Sequence, residues 1–278
     1  MTPIIKIENA RGEVLNLSTD TRYLPILTGT GPPDATINRA KASTADGTQY
    51  NSATVNERDL GLTVYLLGDI AQARLYRWLG TKQPITIYYQ ADGLDVYTEG
   101  YIEKVAVDPW SSNQFVAATI ICPHPFWREM SDTYTNASNV VSLFELPFWT
   151  DDTGIELSTF STDSSTIINN MGTVEAGVTF VLTATTRSFQ PKIYNLTSGQ
   201  FMGFLVDMLP GDQLEICTCT GQKHVTHIRD GVRTNYINTM MEGSAWLQMA
   251  IGANEFSYTV DDGDCTLGIY YTNEYIGV

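Results

Sequence analysis

The sequence predicts a mainly β protein of two domains, and three observations predict it. The chain has 278 residues, 43% hydrophobic and 17% charged, enough for two compact cores and too apolar for disorder. Glycine-containing turn pairs recur along its length: Asp46-Gly47, Asp92-Gly93, Ser198-Gly199, Thr220-Gly221 and Asp262-Gly263. Each places a glycine where a tight hairpin needs positive φ. Around them lie runs rich in β-branched and aromatic residues: Ile85–Tyr89, Val96–Ile102, Phe115–Ile121, Lys192–Leu196, Phe201–Val206, Gln213–Thr218, Phe256–Val260 and Thr266–Tyr271.

One segment breaks the pattern. Ile70–Leu79 reads as an α-helix, with Asp69 as N-cap, Gly80 just past its end, and Ala71, Leu75, Trp78 and Leu79 as an apolar stripe. Arg74 and Arg77 flank that stripe, and the helix is expected to pack on the first β domain. Pro123 and Pro125 cannot both sit in a central strand, so the first sheet ends near Cys122. The organisation expected is a first domain over 1–130, a connector over 131–165 and a second domain over 166–278. Within the connector the apolar run Val140–Trp149 is expected to pack against something. No internal repeat is visible.

The net charge is −15, from 31 acidic and 16 basic residues, and both halves are acidic. Tight nucleic-acid binding needs clustered Lys and Arg, so the balance argues against it. No run is long and apolar enough for a membrane-spanning helix, and no basic-then-apolar leader follows Met1. The expectation is a protein made and kept in the cytoplasm, or released with something assembled there. Four cysteines do not make a secreted disulfide framework, and the N-x-[ST] matches at Asn136 and Asn195 are read as chance.

The sequence offers little catalytic chemistry. His124 stands between two prolines, and there is no nucleophile elbow, HExxH, P-loop or dinucleotide fingerprint. Gly29 and Gly31 lead into Pro32-Pro33 rather than a helix, so they cradle no phosphate. The expectation is no enzyme and no cofactor. Cys217, Cys219 and His224 form the one constellation of soft ligands. A Thr220-Gly221 hairpin would set Cys217 opposite His224, while Cys217 and Cys219 share a face at about 6.6 Å along a strand, a spacing too strained for a good disulfide but tolerable for zinc. Zinc would need a fourth ligand, such as Cys265; the plainer reading is reduced cysteines used as small strand residues. His227 falls opposite Leu214 and points away. Trp246 is either a sugar-stacking platform or packing, and alternation alone does not say which face of 244–249 is core. The acidic run Asp261-Asp262-Gly263-Asp264 lacks the spacing of a calcium loop.

Two ordered sets of motifs resemble the distal tail (Dit-like) proteins of long-tailed phages. The first runs through Gly31-Pro-Pro-Asp-Ala-Thr-Ile-Asn38, Asp46-Gly47, Tyr50-Asn51-Ser52, Val55-Asn56-Glu57-Arg58, Arg74–Leu79, Gly100-Tyr101-Ile102-Glu103 and Ile121–Phe126. The second runs through Asn169–Thr173, Pro191-Lys192-Ile193, Pro210-Gly211-Asp212, Ser244-Ala245-Trp246, Gly252-Ala253-Asn254 and Tyr271–Val278. The resemblance implies an N-terminal tail-tube-like β domain with one helix and a C-terminal galectin-like β-sandwich. It also implies a homo-hexameric ring at the virion tail tip or baseplate, assembled in the host cytoplasm. That ring would join the tail-tube protein to tail-tip, tail-fibre or receptor-binding proteins. In this picture Asn38–Arg58 is an inter-subunit arm, with Asn38, Asp46, Gly47, Tyr50, Asn51 and Arg58 as its marked residues, and DNA only passes through the lumen. The alternative is a carbohydrate-binding module for host adhesion, using the C-terminal sandwich with Trp246 as its docking residue.

Overall fold

The structure is a computed structural model that describes residues 3–41, 46–67, 72–108, 114–137, 139–142, 158–161 and 165–278. It divides into two compact units: Met1–Met130 with Glu274–Val278, and Ser131–Asn273. Every strand pair among the described residues is antiparallel.

The first unit contains β1 (Ile4–Asn9), β2 (Val14–Asn16), β3 (Tyr23–Thr28), β4 (Ala35–Ala40), β5 (Gln49–Val55) and β6 (Arg58–Leu66). After a short helix come β7 (Pro84–Ala91), β8 (Leu94–Val107), β9 (Phe115–Cys122) and β10 (Trp127–Glu129). Its main sheet runs β2-β1-β7-β8-β9-β6-β3, with β10 paired to β8. Alternation decides the faces: Ile5 and Ile7, Leu60, Leu62 and Val64, Ile85 and Ile87, and Val116, Ala118 and Ile120 all turn to the core. Ribbon β4–β5 lies outside this sheet and pairs only with itself.

The expected α-helix is a 3-10 helix, Gln72–Arg77. Six residues are too few for cooperative α-helix formation, and short pieces commonly take the tighter winding. Its buried Leu75 and the following Leu79 face the core, as the apolar stripe predicted, while Asp69, Ile70 and Ala71 lie outside the described residues. Arg77 forms an ion pair with Glu13, and Trp78 Nε1 donates to the Glu13 carbonyl at 3.0 Å.

The second unit contains β11 (Thr133–Asn136), β12 (Asn139–Ser142), β13 (Ser158–Ser161), β14 (Thr166–Asn170), β15 (Ala176–Ala184), β16 (Ser188–Phe189), β17 (Lys192–Asn195) and β18 (Gln200–Gly203). It continues with β19 (Asp207–Met208), β20 (Gln213–Cys217), β21 (His224–Arg229), β22 (Val232–Asn235), β23 (Gln248–Met249), β24 (Gly252–Thr259) and β25 (Cys265–Tyr271). Sheet β11-β25-β15-β20-β21-β22 and sheet β14-β24-β17-β18 share one core, making a β-sandwich. Phe180 of the first and Phe256 of the second meet edge-on, ring centroids 5.4 Å apart.

Thr133–Asn136, expected in a connector, is a strand of this sandwich, because Tyr134 stacks on Tyr270 across the β11–β25 pair at 4.7 Å. Of the apolar run Val140–Trp149, only the backbone of 140–142, paired in β12–β13, is described; the rest lies outside the described residues. The last strand, β26 (Glu274–Tyr275), pairs with β10 in the first unit.

The turn pairs divide. Asp92 (φ 51°) and Gly93 (φ 85°) make a two-residue hairpin turn between β7 and β8, both central residues left-handed as that turn demands. The others are not two-residue turns. Ser198-Gly199 closes a four-residue loop between the paired Asn195 and Gln200, and Thr220-Gly221 lies in a longer loop from Cys217 to His224. Asp262-Gly263 carries the chain from β24 in one sheet to β25 in the other. Ala40 and Gln49 are the last paired residues flanking Asp46-Gly47, so that pair does not join the two strands by itself. A hairpin turn not singled out from the sequence, Asp230-Gly231 (φ 52° and 78°), joins β21 to β22.

Candidate assembly surface

The ribbon β4–β5 differs from every other strand pair described with side chains. All of its residues are exposed, on both faces. Its register pairs Ala35 with Val55, Thr36 with Thr54, Ile37 with Ala53 and Asn38 with Ser52. There Asn51 bulges out, so that Arg39 pairs with Tyr50. Alternation therefore sorts the ribbon into two faces. Thr36, Asn38, Ser52 and Thr54 form a polar face, on which Asn38 Nδ2 donates to Ser52 Oγ at 3.0 Å and Thr36 Oγ1 to Asn56 Oδ1 at 2.8 Å. Ala35, Ile37, Tyr50, Ala53 and Val55 form an apolar face beside Arg39, with Ile37 59% and Tyr50 65% exposed. A lone two-stranded ribbon is marginally stable in water, and an apolar face left open on it marks a contact surface.

Of the residues marked for the arm, Asn38, Tyr50 and Asn51 sit on the ribbon, and Asp46 and Gly47 lie between its two strands. Arg58 does neither. It is 1% exposed, at the start of β6 in the main sheet. Its Nε donates to Pro125 O at 2.7 Å, Nη1 to Gly29 O at 2.8 Å and Gly31 O at 2.6 Å, and Nη2 to Ile276 O at 2.6 Å. The guanidinium also lies 5.4 Å from the Trp127 ring centroid. Burial pushes its pKa down from the ordinary arginine value; a guanidinium starts so high that it remains cationic at neutral pH. Such a planar fork with four carbonyl acceptors ties together the segment entering the ribbon, the segment leaving it and the closing residues of the chain.

Two neighbouring bonds strengthen this root. Trp127 Nε1 donates to Thr30 O at 3.2 Å, and Val278 N donates to the same carbonyl at 3.0 Å. Arg58 was legible as a marked residue near the arm. Nothing in the sequence said it was buried, because its acceptors are main-chain carbonyls, which carry no sequence signature.

The other marked residues resolve more quietly. Leu247 and Met249 are the core side of 244–249, and Trp246 packs partly buried against that core. Lys223 Nζ sits over its ring at 5.6 Å, so the indole is engaged in packing and cation–π contact. Cys217 does face His224 in the β20–β21 register. Cys265 pairs with Ala184, whereas Cys217 pairs with Thr179 on the same strand. Five residues of strand, about 16 Å, separate those positions, so Cys265 cannot complete a site with Cys217. Among the described residues no group of three His, Cys, Asp or Glu side chains is placed to hold a metal ion.

A buried polar cluster that sequence reading missed lies at the β20–β21 end of the sandwich. Asp212, nearly inaccessible, receives Leu209 N at 2.7 Å, Arg229 Nε at 2.9 Å and 3.0 Å, and pairs with His227 Nε2 at 3.2 Å. The His227 ring stacks on Tyr236 at 4.7 Å. Hydrogen bonding from Arg229, first, and then from the Leu209 amide outweighs burial and holds the Asp212 carboxyl below its ordinary range. Through Asp212 and Tyr236, His227 ties β21 to the turn before β20 and to the segment after β22.

Two compact units whose described strand pairs are all antiparallel, with a self-paired ribbon on the first, define a mainly β protein of two domains. Residues 171–275 match the family model described as siphovirus-type tail component, C-terminal domain. The crystal structure of the Dit protein of phage SPP1 superposes with a TM-score of 0.65 at 15% identity, over 97% of this chain and 98% of that one. A chain of the phage P2 baseplate in its activated, calcium-containing conformation gives 0.56 at 12% identity, over 100% of both. The strontium form of the same baseplate gives 0.54 at 12% identity. No curated protein matches by sequence. The C-terminal segment is thus similar to the siphovirus-type tail components, and the chain has the fold of a Dit-like distal tail protein.

Proposed function

We propose that the protein is a structural, non-catalytic hub of a phage tail tip or baseplate. In this reading six copies close into a ring that joins the tail tube to the tail-tip and adhesion proteins, and each ribbon β4–β5 lays its apolar face on the neighbouring copy. The observation that carries the ring is the ribbon itself: Ile37, Tyr50 and Val55 form an apolar row that its own unit leaves exposed. A heterologous contact of this kind, arm of one copy on the body of the next, closes a ring when its rotation allows. The Dit protein of phage SPP1 is described as a paradigm of the hub adsorption apparatus, which supports the hub assignment. The charge of −15 fits a ring through which DNA passes without sticking.

Light scattering with negative-stain imaging of the purified protein tests the reading. Six-fold rings of about 185 kDa, six chains of 30.8 kDa, are expected. A stable monomer at high concentration, with and without tail-tube protein, overturns it. Sugar binding through Trp246 gains no support from a ring that is already packed on the core and covered by Lys223.

A further inference from the structure

None of the four cysteines is disulfide-bonded, and two of them are placed unlike the others. Cys122, Cys217 and Cys265 are all buried, but burial pushes only the Cys122 and Cys265 thiols up, Cys122 to about 11. Cys217 ends β20 on the sheet face opposite the sandwich core, in a row with Thr179 and His224, and its sulfur is hydrogen-bonded to the Cys219 side chain. Cys219 itself is partly exposed.

That neighbour is held in place rather than met by chance. Thr218 between them is fully buried: its hydroxyl accepts from Val178 N at 2.8 Å and donates to Val178 O at 3.0 Å. The Thr218 carbonyl receives Gln248 Nε2 at 3.0 Å. Gly177 lies directly beneath the Cys219 backbone; a Cβ there would stand 2.3 Å from Cys219 Cα, so only glycine lets the chain cross. Cys219 lies past the end of β20, so the spacing of two residues along a strand does not bind the pair, and its backbone is held next to Cys217 with one thiol partly exposed and the other buried.

We infer that Cys217 and Cys219 form a preorganised thiol pair that reacts with a low-molecular-weight disulfide of the glutathione class and closes to an intrachain disulfide. Hydrogen bonding from Cys219, and then from Thr179, outweighs burial and holds the Cys217 thiol down to about 5, so at neutral pH the pair shares a single proton. When that proton sits on Cys217, the exposed Cys219 thiolate attacks the disulfide, forms a mixed disulfide and releases one thiolate. Cys217 then gives its proton to the released thiolate and attacks the Cys219 sulfur, breaking the mixed disulfide and expelling the second thiolate. The two cysteines lose two electrons and the small disulfide gains them. The shared proton ends on one released thiol, and solvent protonates the other. His224 stands opposite Cys217; burial alone would lower its pKa, but bonds to the Gln222 carbonyl and the Glu215 carboxylate raise it, favouring a positive neighbour for the thiolate.

The test treats the reduced, full-length protein with excess oxidised glutathione near neutral pH, quenches with acid and maps each cysteine by mass spectrometry. The pair is expected to lose two hydrogens while Cys122 and Cys265 keep their thiols. Cys217→Ser is expected to stop at a stable glutathione adduct on Cys219. The inference is overturned if the pair stays reduced, if all four cysteines react alike, if glutathione stays bound to the wild type without ring closure, or if the folded Cys217→Ser protein carries no adduct. Should that variant fail to fold, the mass change of the wild-type pair against its own Cys122 and Cys265 decides alone.

Discussion

Ribbon β4–β5 and strand β15 use similar residues to opposite ends. Ala-Gly-Val-Thr-Phe-Val-Leu-Thr-Ala in β15 buries every second side chain against the facing sheet of its own sandwich. Ala-Thr-Ile-Asn-Arg-Ala in β4 has the same alternation and buries none. Alternation sets which residues share a face; it does not say whether the chain itself supplies something to cover that face. The sandwich draws its stability from within the chain, at about 25 cal/mol per Å² of apolar surface buried. The ribbon's described residues have no such cover in their own unit, and in the proposed ring a neighbouring copy supplies it.

The sharpest way to break this comparison is to cut the same kind of side chain from each region. Phe180→Ala opens a cavity in the sandwich core and is expected to cost about 3–5 kcal/mol in chemical denaturation. Tyr50→Ala on the ribbon should leave the unfolding of the isolated chain within about 0.5 kcal/mol of wild type, while weakening association measured by sedimentation. Equal stability losses would mean the ribbon is buried within the chain after all.

Arg58 joins the two regimes, since it lies in the core and holds the ribbon's root. Arg58→Met leaves four carbonyls without their donor. About 3 kcal/mol of stability should be lost, together with faster tryptic cleavage at Arg39 and Lys41. Arg58→Lys, with a compact ammonium in place of the fork, should recover part of both. Unchanged cleavage in a folded Arg58→Met protein would separate the root from the arm.

A smaller effect belongs to the polar tie of the sandwich. The Asp212 carboxyl is held below its ordinary value in the folded state, so its contribution is present above that value and is lost as pH falls through the folded one. The melting temperature should therefore fall as the pH drops below the ordinary carboxylate value of about 3.9 and on through the lower folded one. Asp212→Asn should be less stable at neutral pH and show a flatter acid limb. The smallest effect expected is Asn38→Ala, whose exposed bond to Ser52 is worth under about 0.5 kcal/mol to the free chain.

The strands were legible because their period of two is written in the residues themselves. Ile85–Tyr89, Phe115–Ile121 and Gln213–Thr218 lie within or within one residue of β7, β9 and β20. Turns were read less well. An Asp-Gly pair marks tolerance of positive φ, yet Asp262-Gly263 spends that tolerance on a change of sheet, and only the pairing partners of β24 and β25 reveal it. The helix was located and its winding was not, since an apolar stripe over so short a segment suits a 3-10 turn as well as an α turn. At the candidate surface, the ribbon was legible as a polar stretch with a turn. Its apolar face was hidden by the bulge at Asn51, which shifts Tyr50 onto the side of Ile37. The role of Arg58 depends on carbonyls far away in sequence, Ile276 the farthest, and no local pattern encodes them.

The central claim is that the ribbon's apolar face is an interface between copies of this chain. The most direct measurement is the solution mass of the double variant Ile37→Asp, Tyr50→Asp beside the wild type, under conditions where the wild type forms rings. The account predicts a shift from about 185 kDa to the single-chain 30.8 kDa with no change in melting temperature. A double variant that still assembles into rings of the wild-type mass would contradict it.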